Sequence, residues 1–452
     1  MVVMSEKKRD GFTSGLGFVL AVMGSAIGLG NIWRFPHMTG SNGGGAFVLV
    51  YLLIVFLIGA PLLLTEFVIG RHGQKNAIDS YGAISSKFKW LGYLGAFTSF
   101  PLLAYYIVVG GWVLFYLVES LMGSLTALPG DQVGAFFGGF ISQVNQPLVY
   151  TAVFMLMTFL IVVQGIAKGI EKWNKILMPL LFILLIILAL RSMSLPGAFE
   201  GIKWYLTPDF SKIDGNTIIA ALGQAFFSLS VGLCGMVTYG SYLSKDENLS
   251  RSVLIASAAD TVVALLAGFV IFPALFSFGV PPTAGPVLIF ITLPQVFAQM
   301  PLGAVWSVFF YILLLFASLT SAISVMELFI TCAVEKLNIS RTKASIGYSA
   351  IVFVLAIPVS LGYGIWSHIT LFGKNFLEVY DYYCANISNP LTALMCSLLI
   401  GWVWGKKGAM EELTNNGMID NVFTRAWFPI VKWIAPIAVG VIWLNAVGLL
   451  KL

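Results

Sequence analysis

The chain predicts an all-α polytopic membrane protein, and three observations predict it. Apolar runs of about 20 residues recur, each enough to cross ~30 Å of hydrocarbon. Hydrophobic residues make up 58% of the chain and charged ones 10%, with a mean hydropathy of +0.91. Lysine and arginine also collect in alternate loops, as they do on the cytoplasmic side of membrane proteins.

Taken in order, eleven transmembrane helices are expected, centred near residues 25, 57, 105, 155, 183, 230, 264, 320, 353, 390 and 440. With the N-terminus inside, 19 of the 25 lysines and arginines are cytoplasmic. Lys7, Lys8 and Arg9 precede the first span, and Arg71, Lys75, Lys87 and Lys89 follow the second. Lys168, Lys172 and Lys175 separate the fourth from the fifth, and Lys245 and Arg251 the sixth from the seventh. Lys336, Arg341 and Lys343 follow the eighth; Lys406, Lys407, Arg425 and Lys432 lie around the start of the last. The loops at 123–147 and 278–304 hold no basic residue, which places them outside. The expectation is a plasma-membrane protein with a cytoplasmic N-terminus and an extracellular C-terminus. Met1 to Asp10 is charged and precedes a span without a cleavage-type site, so a removable signal peptide is not expected. Cys234, Cys332, Cys384 and Cys396 fall within spans at spacings unlike those of metal sites, so they read as small core residues without a disulfide.

Two spans are interrupted. The first contains Gly24-Ser-Ala-Ile-Gly-Leu-Gly-Asn-Ile-Trp-Arg-Phe-Pro36, with a break expected at Ala26–Gly30. The sixth reads Gln224-Ala-Phe-Phe-Ser-Leu-Ser-Val-Gly-Leu-Cys-Gly235, with Ser and Gly clustered at its midpoint. Lipid offers no partner to a freed amide or carbonyl, so such breaks survive only where protein or a wet cavity receives those groups. Because the two lie five spans apart, they run in opposite directions. That predicts an inverted repeat of helices 1–5 (about 11–195) and 6–10 (about 215–407), with a further helix at about 427–450, in one transporter domain and a substrate between the breaks. Close packing through the small-xxx-small pair Gly24 and Gly28 explains one break as well; two in corresponding positions favour a binding site.

The segments Gly28-Leu-Gly-Asn-Ile-Trp-Arg-Phe-Pro36, Asn42-Gly-Gly-Gly-Ala-Phe47, Pro61…Glu66…Gly70-Arg71 and Gly223-Gln-Ala-Phe-Phe-Ser-Leu-Ser230 resemble the neurotransmitter:sodium symporter family, bacterial amino-acid branch. The resemblance covers essentially the whole chain. It implies a leucine-transporter-type fold with discontinuous helices 1 and 6, and sodium-coupled amino-acid uptake. The free amides near Leu29 and Gly30, at a positive helix end, would meet the substrate carboxylate together with the Tyr106 hydroxyl. The carbonyls of Ala26, Phe227 and Ser228, with the Ser230 hydroxyl, would take the ammonium. Gly28 stands where amine-carrying members place an Asp, which leaves room for a substrate bringing its own carboxylate. Leu102, Phe227, Leu233, Met236 and Val325 match pocket positions and favour hydrophobic side chains, aliphatic or aromatic. Each of these alone also fits an ordinary core residue.

The resemblance also implies about two sodium ions. The first site joins the Ala26 carbonyl to Asn31, Ser228 and Asp260; relatives usually carry Asn at the last position, and a carboxylate there predicts chloride independence. The second joins the carbonyls of Gly24, Ile27 and Ala317 to Thr320 and Ser321, whose hydroxyls could instead bond back to their own helix. Arg34 and Asp381 match an outer gate, with Phe227 as a lid. Arg9 and Glu335 match an inner gate, although Arg9 reads equally as a positive-inside anchor, and Phe12 replaces a bulkier aromatic there. Gly169 and Pro179 bracket a part of helix 5 expected to unwind on inward opening. Glu66 is expected to be protonated and hydrogen-bonded near the helix 6 break.

A channel needs a continuous polar pore, whereas the polar residues here cluster at one depth. An enzyme needs a nucleophile with its base or a metal cluster, and His37, His72 and His368 are scattered near span ends. A proton-coupled or exchange-type amino-acid carrier of the same architecture stays open. The partners expected are a hydrophobic amino acid, sodium and lipid, with no organic cofactor, nucleic acid or obligate protein partner.

Overall fold

The computed structural model describes residues 10–282 and 288–450, so the expected gate residue Arg9 lies outside the described residues. Within them the regular elements are helices, joined by two isolated β-bridges. Nine are long and apolar enough to cross a membrane, or ten if one bent pair counts as a span.

The bent pair is α1 (Gly15–Ala26) and α2 (Gly30–Ser41), which meet at 50°. It is followed by α3 (Gly45–Gly73), α4 (Ser86–Leu121), α5 (Asn145–Val162) and α6 (Ile166–Met193). The segment expected as a sixth span is two pieces, α7 (Gly215–Ser228) and α8 (Gly235–Gly240). At 1.5 Å per residue neither piece reaches across a bilayer. Then come α9 (Leu249–Ser277), α10 (Gly303–Leu337), α11 (Arg341–Leu361), α12 (Phe376–Leu413) and α13 (Val422–Ala446). The long helices α4 and α10 pack on one another, and α1 packs against α6, α9 and α10.

Local chemistry accounts for both interruptions. Ser14 caps α1 by accepting the Gly17 N–H at 3.0 Å, and the last helical bond runs from Ile27 N–H to Met23 O at 2.7 Å. Ile27 then turns extended (ψ 101°) and the helix stops. The freed Gly28 N–H donates to Asn31 Oδ1 at 3.1 Å, so the break satisfies its own amide. In the second interruption Ser230, Gly232 and Cys234 take positive φ at alternate positions, a pattern no helix repeats. The Gly232 N–H is received by Glu66 Oε1 of α3 at 2.6 Å.

Arg71 clasps the ends of α3, the α8–α9 connection and α12. Its Nε donates to Glu412 Oε1 at 2.7 Å and its Nη1 to Glu247 O at 2.6 Å. The N-terminal segment is tied to α6 in the same region. Asp10 Oδ2 accepts the Ile166 N–H at 2.6 Å, and the buried Glu171 accepts the Thr13 amide and hydroxyl, both at 2.7 Å. Between Gly169 and Pro179 the backbone of α6 is helical throughout, π-type up to Glu171 and α-type beyond.

Gly232 combines a φ of +90° with a tight approach, since a Cβ there would lie 2.0 Å from Asn389 O. The strained φ alone costs about 1–3 kcal/mol for a residue with a Cβ. Gly232→Ala should therefore lower the melting temperature of the detergent-purified protein by several degrees. Gly138→Ala, on a surface helix with open space around it, should not.

Candidate functional site

The two interruptions face one another. Gln224 of α7, fully buried, donates from Nε2 to the Gly30 carbonyl at the start of α2 (2.9 Å), which ties the broken helices together at that level.

Beside this contact sits a buried polar cluster. Asn31 Nδ2 donates to Asp260 Oδ1 at 2.7 Å, to the Asp260 carbonyl at 3.1 Å and to Ser228 Oγ at 2.9 Å. The Ser228 hydroxyl donates to Asp260 Oδ2 at 2.7 Å and accepts from Tyr51 OH at 3.3 Å. Asn31, Ser228 and Asp260 thus meet as a set, drawn from α2, α7 and α9. Each is at most 1% exposed. An isolated carboxylate at such a depth is costly, and hydrogen bonds recover only part of the lost hydration. A positive charge beside Asp260 would offset that cost.

A narrow cavity of about 70 Å³ opens between the breaks. Ala26, Gly28, Gly30, Leu102, Tyr106, Phe227, Ser230, Leu233 and Val325 line it, as the sequence expected, and so do Ser25, Tyr105, Phe226, Ser321 and Asn389, which it did not. The Ser230 hydroxyl donates to the Ser25 carbonyl at 3.2 Å, so it binds the first break directly. A Cβ at Gly28 would lie 2.5 Å from Ser321 Oγ and 3.1 Å from Tyr106 OH, so a side chain at this position would occupy the cavity's polar end.

Three expected lining residues sit elsewhere. Leu29 borders a wider neighbouring cavity, with its backbone amide at the Tyr106 hydroxyl as expected of it, and the Ser228 side chain turns into the Asn31–Asp260 cluster. Met236 is fully buried and borders neither cavity. It lies beyond the left-handed turn at Cys234, where α8 begins, so helical spacing from Leu233 does not carry through to it.

On the α1 side of the first break a second group of oxygens converges. Ser321 Oγ lies 3.4 Å from Gly24 O, 3.3 Å from Ser25 O and 3.5 Å from Ile27 O. These separations are long for hydroxyl donation. The Thr320 hydroxyl bonds back to its own helix, to Phe316 O at 2.9 Å and Ala317 O at 3.1 Å, which leaves its lone pairs available.

Outside the narrow cavity a wider one of about 480 Å³ shares the walls Gly30, Tyr105, Tyr106 and Phe227 with it. Arg34 and Asp381 both border it but form no ion pair within 4.0 Å among the described residues. The Arg34 guanidinium instead lies 4.4 Å over the Phe227 ring, and Asp381 accepts Tyr105 OH at 3.1 Å.

On the inner side Phe12 meets Phe18, Tyr239 and Tyr242 edge-on at 5.4, 5.7 and 6.2 Å. Tyr242 OH donates to Glu327 Oε1 at 2.9 Å, and the fully buried Glu327 is paired with Arg341. Glu335 Oε2 accepts the Asn76 amide at 2.7 Å and its side chain at 3.0 Å. The Glu327–Arg341 pair is not signalled by any motif in the sequence.

Apolar helices in this number, surrounding a buried site of oxygens, define an integral multi-pass membrane protein of the transporter class. The sodium:neurotransmitter symporter family matches residues 9–132 and 139–450, and the chain belongs to it, a family of secondary transporters rather than enzymes. An uncharacterised sodium-dependent transporter of Bacillus subtilis, YhdH, is 42% identical over 99% of this chain and all of its own length. The human sodium- and chloride-dependent GABA transporter 2 is 26% identical over 95% of this chain and 79% of its own. The crystal structure of MhsT in complex with L-phenylalanine superposes with a TM-score of 0.90 at 42% identity, covering 97% of this chain and all of that one. Sodium is therefore the coupling ion implied by family membership, and the architecture is that of MhsT.

The lid position gives a test. Phe227→Ala removes the ring between the two cavities and the face under Arg34, so bound substrate should dissociate at least about tenfold faster, read by washout of labelled amino acid.

Proposed function

We propose that this protein takes up hydrophobic L-amino acids, aliphatic and aromatic, together with two sodium ions by alternating access, independently of chloride. The observation that carries this reading is the Asn31–Ser228–Asp260 cluster beside a cavity whose far walls are Leu102, Leu233, Val325 and Phe226. One end offers carbonyls and hydroxyls to a zwitterion, and the other offers no charge to a side chain. That MhsT crystallised with L-phenylalanine supports an apolar amino acid as cargo.

In this reading the chain crosses the membrane eleven times, α1 with α2 and α7 with α8 each forming one discontinuous span of an inverted repeat. The first sodium binds among Ala26, Asn31, Ser228, Asp260 and the substrate carboxylate, so ion and cargo touch. The second binds among Gly24, Ile27, Ala317, Thr320 and Ser321. Asp260 supplies the negative charge that a chloride-dependent relative draws from an anion. Two sodium ions carried with a neutral zwitterion gain about 4.6 kcal/mol from 100 mV, enough for roughly thousandfold accumulation before the sodium gradient is counted.

Closure outside draws Arg34 towards Asp381 over Phe227. Opening inside frees the Phe12 cluster, and the Arg9 and Glu335 gate, and unwinds α6 between Gly169 and Pro179 so that water reaches the second ion. Proteoliposomes should accumulate labelled leucine or phenylalanine only with an inward sodium gradient, equally well in chloride or gluconate. Uptake driven by a proton gradient in sodium-free buffer would contradict the reading. Asp260→Asn should lower uptake at least about tenfold in gluconate and recover part of it in chloride. Pro179→Ala should slow turnover several-fold while leaving substrate affinity near its original value; unaltered turnover would remove the unwinding step.

A further inference from the structure

Asn174 lies on α6, midway between Gly169 and Pro179, and is fully buried. Its Nδ2 donates to Ile170 O at 2.8 Å on its own helix, but its Oδ1 has no hydrogen-bond partner. Orphaned buried oxygens are uncommon and call for a reason. This one is directed at the broken helix. It lies 1.8 Å from where a Cβ of Gly24 would be, and Thr320 Cβ lies 3.2 Å from the same point. The missing side chain at Gly24 is what admits it.

The surroundings contain acceptors without spare hydrogens. The Thr320 proton is committed to Phe316 O and Ala317 O, the Ser321 hydroxyl faces the carbonyls of Gly24, Ser25 and Ile27, and the Asn174 amide protons point back along α6. An acceptor oxygen added to a ring of acceptor oxygens is stabilised by a cation, which needs oxygen ligands and no donor. An asparagine carbonyl supplies such a ligand without adding charge.

We propose that Asn174 Oδ1 contributes an oxygen to the sodium ion beside Gly24, Thr320 and Ser321, so the helix that covers the inner route to this ion also helps hold it. The inference rests on the sodium reading above and deepens it. Unwinding α6 between Gly169 and Pro179 withdraws this oxygen at the moment water gains access, so affinity falls as the route opens.

The test is a sodium titration of the purified full chain, read by thermal stabilisation at constant ionic strength, with lithium in parallel. Asn174→Leu, which keeps the branched four-atom side chain and removes the oxygen, should raise half-saturating sodium about tenfold and change the sodium-to-lithium ratio. Asn174→Asp, which keeps an oxygen and adds charge, should bind sodium at least as tightly as the unmodified chain. If Asn174→Leu does not fold, Asn174→Asp decides, and a half-saturating sodium above that of the unmodified chain overturns the proposal. Titration curves of both variants that overlay the unmodified chain's overturn it too and leave the sodium reading standing. An unmodified chain that sodium does not stabilise at all overturns both.

Discussion

The structure depends on side chains that replace the backbone hydrogen bonds lost at two helix interruptions. Asn31 takes the Gly28 amide, Glu66 takes the Gly232 amide and Gln224 gives a hydrogen to the Gly30 carbonyl. Each comes from a buried residue with no water to compete. In hydrocarbon an unpaired amide costs several kcal/mol, so these three contacts decide whether the interruptions exist at all. With them satisfied, the carbonyls of Gly24, Ser25 and Ile27 face hydroxyls of the neighbouring helices, Ser321 for all three and Ser230 for Ser25.

Electrostatics then gives the site its direction. Asp260 brings a carboxylate into a dry cluster where Asn31, Ser228 and Tyr51 supply hydrogens but no positive charge. A buried charge of this kind is a poor device for stability and a good one for holding an ion of opposite sign. Around it the walls divide by chemistry: polar backbone and hydroxyls at Ser25, Gly28, Ser230 and Ser321, apolar side chains at Leu102, Leu233 and Val325. Arg34 lies over Phe227 on one side of the cavity, and the Phe12 ring cluster lies on the other.

Much of this was legible in the sequence because interrupted helices announce themselves locally. Glycine and serine at the midpoint of an apolar run conflict with the run itself, and that conflict marks both interruptions, whereas the roles of Asn31, Ser228 and Ser230 come from the resemblance to relatives. Asp260 emerged only through register with relatives, and its meeting with Asn31, 229 residues away, needed the fold. Contacts of Tyr51 with Ser228, of Gln224 with Gly30 and of Glu327 with Arg341 join helices whose facing sides a single sequence does not reveal. Met236 is a different case: resemblance to relatives puts it in the pocket, but the left-handed Cys234 lies between it and Leu233, and it borders neither of the two cavities.

The central claim is that cation and substrate carboxylate occupy one shared site between the interruptions, so each must raise the other's affinity by the same factor. Equilibrium binding of phenylalanine and of phenylalaninol, which lacks the carboxylate, measured across a sodium titration, tests this most directly. The account predicts that phenylalanine binding tightens at least about a hundredfold from potassium to sodium buffer, while phenylalaninol gains far less. Equal affinity for phenylalanine in the two buffers, or an equal sodium dependence for both ligands, would contradict it.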